Sequence, residues 1–141
     1  MVYSKKITKV YHETSMKTVI NTDNAPAPIG PYSQAVAAGE LVFVSGQIAL
    51  NPQSGELIMG NIEDETVQVM QNIGSILKEA RLDFDHIVKT SIFLKDMQDF
   101  AKVNEVYGKY FKDQFPARET IQVAGLPKNV NVEISVIAVK S

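Results

Sequence analysis

From Met16 onward the apolar positions fall into short blocks whose period alternates between that of a strand and that of a helix. The segment MKTVIN, with Val19 and Ile20 ahead of a turn-rich stretch, predicts a short strand. The loop that follows, Asn24-Ala-Pro-Ala-Pro-Ile-Gly-Pro-Tyr32, holds three prolines and a glycine, which deny it helix and central-strand pairing. Residues 34–38 and 41–47 flank Gly39-Glu40 and predict an antiparallel pair joined by a tight turn, with the glycine at positive φ. Turn formers return over 51–55, and Gly60 precedes the longest periodic segment.

Over 62–81, Val69, Met70, Ile73, Ile76, Leu77 and Ala80 recur every three or four residues. Glu63, Asp64 and Glu65 crowd the first turn, where acids meet the positive end of a helix dipole, so the segment predicts an amphipathic helix. Residues 86–95 carry Ile87, Val88, Ile92, Phe93 and Leu94 and predict a buried strand. Asp96 or Asp99 can cap a second helix, on which Phe100, Val103, Tyr107, Tyr110 and Phe111 repeat at helical spacing, with Phe115-Pro116 as its end. Residues 118–124 set Arg118, Thr120 and Gln122 on one side of a strand and Ile121 and Val123 on the other. The last strand sets Val132, Ile134 and Val136 against Asn131, Glu133 and Ser135 and continues through Ile137 and Val139.

The resulting order is β-β-β-α-β-α-β-β, an α+β single domain with a six-stranded mixed sheet. Its two strand-helix-strand crossovers imply locally parallel pairs with both helices on one face. The other face is left uncovered and is not uniformly polar, which predicts a homo-oligomer.

Composition narrows the chemistry. The chain has 141 residues, 14 basic against 16 acidic, a net charge of −2, and so no basic stripe to follow a phosphate backbone. The absence of cysteine excludes disulfides, thiolate metal sites and a cysteine nucleophile. The longest apolar runs are four residues, against the ~20 of a membrane helix. Residues 1–15, with Lys5, Lys6 and Lys9 but no secretory apolar run, are expected to be a flexible extension, and their His12 is given no chemistry. Residues 16–141 then form the domain of a cytoplasmic protein. No phosphate-cradling glycine motif occurs, and His86 is the other histidine, so acid/base work must rest on Glu, Tyr or water.

Candidate residues are few. Arg118 follows Pro116-Ala117, a stiffened entry to a strand, and its guanidinium can grip a carboxylate with two hydrogen bonds; taken alone it reads first as an exposed strand-end arginine. Glu133, between Val132 and Ile134 in an apolar stretch, must be paired, hydrogen-bonded or partly protonated. Tyr32 follows Gly30-Pro31 in a rigid loop, as a ligand contact or as a plug for the core edge. Ser45-Gly46 ends a strand, where the missing Cβ admits a ligand or marks a bulge. Asn104 lies on the second helix, either solvated or orienting a ligand.

These segments together resemble the Rid family, the YjgF-type reactive-intermediate deaminases. The resemblance is carried by Asn24-Ala-Pro-Ala-Pro-Ile-Gly-Pro-Tyr-Ser-Gln34, Val44-Ser-Gly-Gln-Ile48, Asn51-Pro52, Gly55-Glu56, Phe115-Pro-Ala-Arg118, Leu126-Pro-Lys128 and Val132-Glu-Ile134, and runs from about Met16 to the end. The arginine of Pro-Ala-Arg and the later glutamate are similar to the RidA subgroup. The resemblance implies a chorismate-mutase-like fold, a homotrimer with clefts between subunits, and no cofactor or metal. It implies hydrolysis of enamine/imine intermediates such as 2-aminoacrylate, 2-iminopropanoate and 2-iminobutanoate to 2-keto acids and ammonia. By motif, Arg118 is then the carboxylate anchor and Glu133 the acid/base that handles water, while Tyr32, Ser45, Gly46 and Asn104 line the cleft. Many relatives have a cysteine where this chain has Thr120, so a thiol is not essential, and the Thr120 backbone N–H could serve the substrate carboxylate.

Such imines already hydrolyse in water, so acid/base help worth roughly 10²- to 10⁴-fold and an arginine clamp are enough. If the last two strands run in opposite directions from the 125–130 loop, Arg118 lies seven residues before it and Glu133 three after it. At ~3.3 Å per residue their depths differ by about 13 Å, so the pair is expected to join across a subunit boundary. The competing expectation is a non-catalytic trimer that binds small keto acids as a sensor, or a chaperone-like surface, because Arg118 alone would suffice for binding. A nucleolytic role has the least support in charge and residue types.

Overall fold

A computed structural model describes residues 16–140; the extension at 1–15, with His12, lies outside them. Six strands, β1 (Thr18–Ile20), β2 (Ala35–Ala38), β3 (Leu41–Gln47), β4 (Ile87–Leu94), β5 (Ala117–Gln122) and β6 (Val132–Val139), form one mixed sheet in the order β1-β2-β3-β6-β4-β5. The two helices are α1 (Ile62–Glu79) and α2 (Phe100–Gly108). The β2–β3 hairpin turns on Gly39, whose φ of 58° is the left-handed conformation open to glycine without a Cβ penalty.

One expectation of the connectivity is corrected. The α1 crossover does not join neighbouring strands, because β6 inserts between β3 and β4 and pairs antiparallel with both. Only β4 and β5, joined through α2, pair in parallel. Insertion gives β6 the centre of the sheet, where Val132, Ile134, Val136 and Ala138 are buried beneath the helices.

The helix α1 starts at Asn61, whose side chain accepts the Asp64 N–H at 2.8 Å. Its stripe Val69, Met70, Ile73, Ile76 and Leu77 is fully buried against β3 and β6. Glu65 does more than meet the dipole. It is wholly buried, and its carboxylate accepts the Asn131 N–H and side-chain amide at 2.8 and 2.7 Å and the Val132 N–H at 3.2 Å, pinning the start of β6.

The second helix also departs from expectation: it ends at Gly108, well before Pro116. Glycine weakens a helix interior, and Tyr110 and Phe111 turn in the tighter i to i−3 pattern to pack on Phe84 and Tyr107. Asp96, not Asp99, supplies the side-chain cap, to a short 3₁₀ turn ahead of the helix.

The face of the sheet away from the helices carries a cross-strand row, Val19, Val36, Phe43 and Ile137, in register across β1, β2, β3 and β6. Phe43 is 43% exposed and Val19 48%. The proline-rich loop at the sheet's end is held by the buried Gln34 amide. Its Nε2 donates to the carbonyls of Thr22, Ala25 and Pro26 at 3.0, 3.2 and 2.9 Å, and its Oε1 accepts the Thr22 N–H at 2.7 Å.

Candidate functional site

Six of the seven candidate residues line two separate cavities, and the seventh, Thr120, lines neither. Tyr32, Ser45, Gly46 and Glu133 line a cavity of about 330 Å³ together with Ile29, Ile48 and Pro127. Asn104 and Arg118 line another of about 400 Å³ with Tyr107, Gly108, Phe115 and Pro116. A larger cavity of about 700 Å³ beside α1, rich in carboxamides, contains none of them.

In the first group, two residues of β3, Ser45 and Gly46, oppose one of β6, Ser135, between the Val44–Val136 and Gln47–Ile134 pairs. The result is a bulge at Ser45-Gly46, the second reading of that glycine, and the space left by its missing Cβ is taken by the Glu133 side chain. A Cβ on Gly46 would lie 2.8 Å from Cδ and Oε2 of Glu133. Ser45 is fastened to the proline-rich segment, its N–H donating to the Gln34 carbonyl at 2.9 Å and its hydroxyl to the Ser33 carbonyl at 2.6 Å. Its oxygen can therefore only accept from a ligand. The Tyr32 hydroxyl accepts the Ile29 N–H at 3.3 Å, which curls the loop over the cavity. Glu133 is half-buried on the outer face of β6, and burial alone pushes its carboxyl above the ordinary carboxylate range. It takes part in no ion pair among the described residues.

In the second group, Arg118 lies opposite Thr90 in the β4–β5 register, on the helix side of the sheet. Its Cζ stands 5.1 Å from the Tyr107 ring centroid and 5.7 Å from that of Phe100. Phe100, Asn104 and Tyr107 are spaced i, i+4, i+7 and so share one face of α2. Arg118, too, is in no ion pair among the described residues. Its neighbour Glu119 points to the opposite face, as alternation requires. There Lys89 at 2.9 Å and Ser91 at 2.8 Å hold its carboxyl below the ordinary value. Thr120 shares the helix-side face with Arg118, and its buried hydroxyl has no hydrogen-bond partner among the described residues.

The sheet keeps the two groups apart. Arg118 pairs with Thr90 and Glu133 with Phe93, three residues further along β4, so the two side chains emerge on opposite faces. Two strand spacings of ~4.8 Å and three residues of ~3.3 Å separate their backbones by about 14 Å. The strands β5 and β6 do run in opposite directions, but with β4 between them rather than as neighbours. Phe100 and Tyr107 were not legible as site residues, because aromatic groups at helical spacing read as core. Asn104, one polar residue between them on the same face, was the available signal. Among the described residues no three His, Cys, Asp or Glu side chains are gathered to hold a metal ion, and no helix is long and apolar enough to cross a membrane.

Comparison with known proteins gives one consistent match. The family described as Endoribonuclease L-PSP matches residues 22–140. A RutC family protein of Pyrococcus horikoshii is 51% identical over 125 residues, 89% of this chain and 99% of its own. The 2-iminobutanoate/2-iminopropanoate deaminase of Mus musculus is 49% identical over 125 residues, 89% of this chain and 93% of its own. Among solved structures, YyfA of Yersinia pestis, described as a protein of unknown function in the conserved Rid protein family, superimposes with a TM-score of 0.85 at 48% identity, over 87% of this chain and 98% of that one.

Proposed function

This chain belongs to the endoribonuclease L-PSP family, the YjgF/Rid proteins, and we propose that it hydrolyses 2-imino acids such as 2-iminopropanoate and 2-iminobutanoate to 2-keto acids and ammonia. The observation that carries this reading is a pair of uncommitted groups, the Arg118 guanidinium and the half-buried Glu133 carboxyl, each lining an open cavity on a different face of the sheet. Neither half is complete for the chemistry. A homotrimer in which the Glu133 half of one chain meets the Arg118 half of the next supplies a full site at each boundary, and the apolar outer row gives that boundary something to bury.

In such a site Arg118 grips the substrate carboxylate with parallel N–H···O bonds, with Asn104 and the Thr120 backbone N–H beside it. Ser45 accepts a hydrogen bond from the imine or iminium N–H. The tautomerised substrate presents a C=N carbon to water. Glu133, holding its proton because it is half-buried, protonates the nitrogen, and the carboxylate so formed takes a proton from the attacking water. The tetrahedral carbinolamine then returns a proton through Glu133 to its amino nitrogen, and the C–N bond breaks. Ammonia leaves, and the remaining oxygen closes to the ketone. Atoms and charge balance with water as the single co-reactant. The substrates are small cytoplasmic metabolites in this reading.

The test generates 2-iminobutanoate and 2-iminopropanoate with an amino-acid oxidase and times keto-acid appearance with and without the protein. Acceleration that is lost in Arg118→Ala and in Glu133→Gln supports the reading. Keto-acid binding that persists without any acceleration would establish a sensor instead.

A further inference from the structure

We propose that Tyr107 is a positioning residue that aims Arg118, a role that rests on the reading of Arg118 as a carboxylate anchor. Three elements converge on this arrangement. Thr90 of β4 and Arg118 of β5 are register partners on the helix side of the sheet. The Tyr107 hydroxyl, reaching from α2, donates to Thr90 Oγ1 at 2.9 Å. Both residues are buried, Thr90 at 0% and Tyr107 at 4% exposure, and the ring so fixed lies 5.1 Å from the Arg118 Cζ.

The consequence is geometric. A guanidinium is usually held by a carboxylate, which occupies the N–H groups in its plane. An aromatic ring attracts the same cation while leaving its N–H edge free for an incoming anion. Phe100, at 5.7 Å, adds a second aromatic contact. The Thr90 hydroxyl keeps the Tyr107 ring from turning, so the neighbouring strand β4 controls where the arginine of β5 points. Burial pushes the Tyr107 phenol above its ordinary value, against the opposing pull of Thr90 and Arg118, so it remains a donor through neutral pH. Phe111 packs on the Tyr107 ring with centroids 4.8 Å apart, and Phe115 packs on Phe111 at 6.0 Å.

The chain has two arginines, Arg81 and Arg118, so arginine-selective ¹⁵N labelling gives two side-chain Nε–H signals. The Arg118 signal is expected to be displaced by ring currents in the wild type and to move towards that of Arg81 in Tyr107→Leu. In the same variant KM for 2-iminopropanoate rises about 5- to 30-fold, with kcat nearly unchanged. Tyr107→Phe and Thr90→Val retain the core volume and lose only the anchoring hydrogen bond. They raise KM about 2- to 10-fold and do so non-additively when combined. If Tyr107→Leu does not fold, these two decide. An Arg118 signal and a KM unmoved in every folded variant, with only thermal stability lowered, would overturn the role and leave Tyr107 a core residue. Binding of 2-ketobutanoate by Arg118→Ala as tight as by the wild type would overturn the carboxylate reading and this role together. Binding weakened in Arg118→Ala, with KM unmoved in the Tyr107 and Thr90 variants, would overturn this role alone.

Discussion

Gly46 lies so close beneath Glu133 that a single methyl group there would meet its carboxyl carbon and Oε2 at 2.8 Å. The colliding atoms belong to the free end of a long side chain. Gly46→Ala should therefore leave thermal stability nearly unchanged while swinging the carboxyl out of its position. Turnover should fall by about 10²-fold or more, the share that positioned acid/base groups supply. Parallel melting curves and initial rates check it.

Glu133 is held above the ordinary carboxylate range by burial alone, which fixes a sign. The folded chain binds this proton more tightly than the unfolded one. The stabilisation is fully present below the unfolded pKa and is lost as pH rises through the folded pKa. Glu133→Gln carries no such loss, so its melting temperature should gain on that of the wild type between acid and neutral pH. The wild-type rate profile should behave in parallel, with an alkaline limb set by a carboxyl pKa above the ordinary one.

Because Arg118 and Glu133 emerge on opposite faces of one sheet, chains defective in either should complement one another. Arg118→Ala and Glu133→Ala, each inactive, should regain about a quarter of wild-type turnover when mixed one to one and allowed to exchange subunits, since random assembly pairs two intact halves at that frequency. Proven exchange without recovery would mean that the working groups do not meet across a boundary.

Phe43 offers a test of the boundary itself. It is 43% exposed and stands in the middle of the Val19-Val36-Phe43-Ile137 row. Phe43→Asp should retain its far-ultraviolet spectrum, because the ring packs on the uncovered face. Sedimentation should shift from the proposed trimer to single chain, and turnover should disappear with assembly.

The elements were largely legible in the order of apolar and polar residues, and the reasons differ by segment. The α1 stripe and the alternation of β6 announce themselves, because one face of each is buried in a single chain. The insertion of β6 between β3 and β4 is a long-range pairing that no local period encodes. Glu65 was read with Glu63 and Asp64 as dipole chemistry, whereas burial and three N–H donors distinguish it. Arg118 and Glu133 stood out by type and context. Tyr107 did not, since its hydroxyl is spent on Thr90 and its ring on both core and cation.

The Gln34 side chain makes four hydrogen bonds to a span of proline-rich backbone, which Ser45 ties down at its far end with two more. Ile29 and Tyr32, which roof the Glu133 cavity, ride on that span. The roof thus hangs from side chains rather than from a ladder: loss of the Gln34 carboxamide would slacken the chamber's cover while the helices and sheet below kept their places, so the cavity's shape and the fold's endurance answer to different residues.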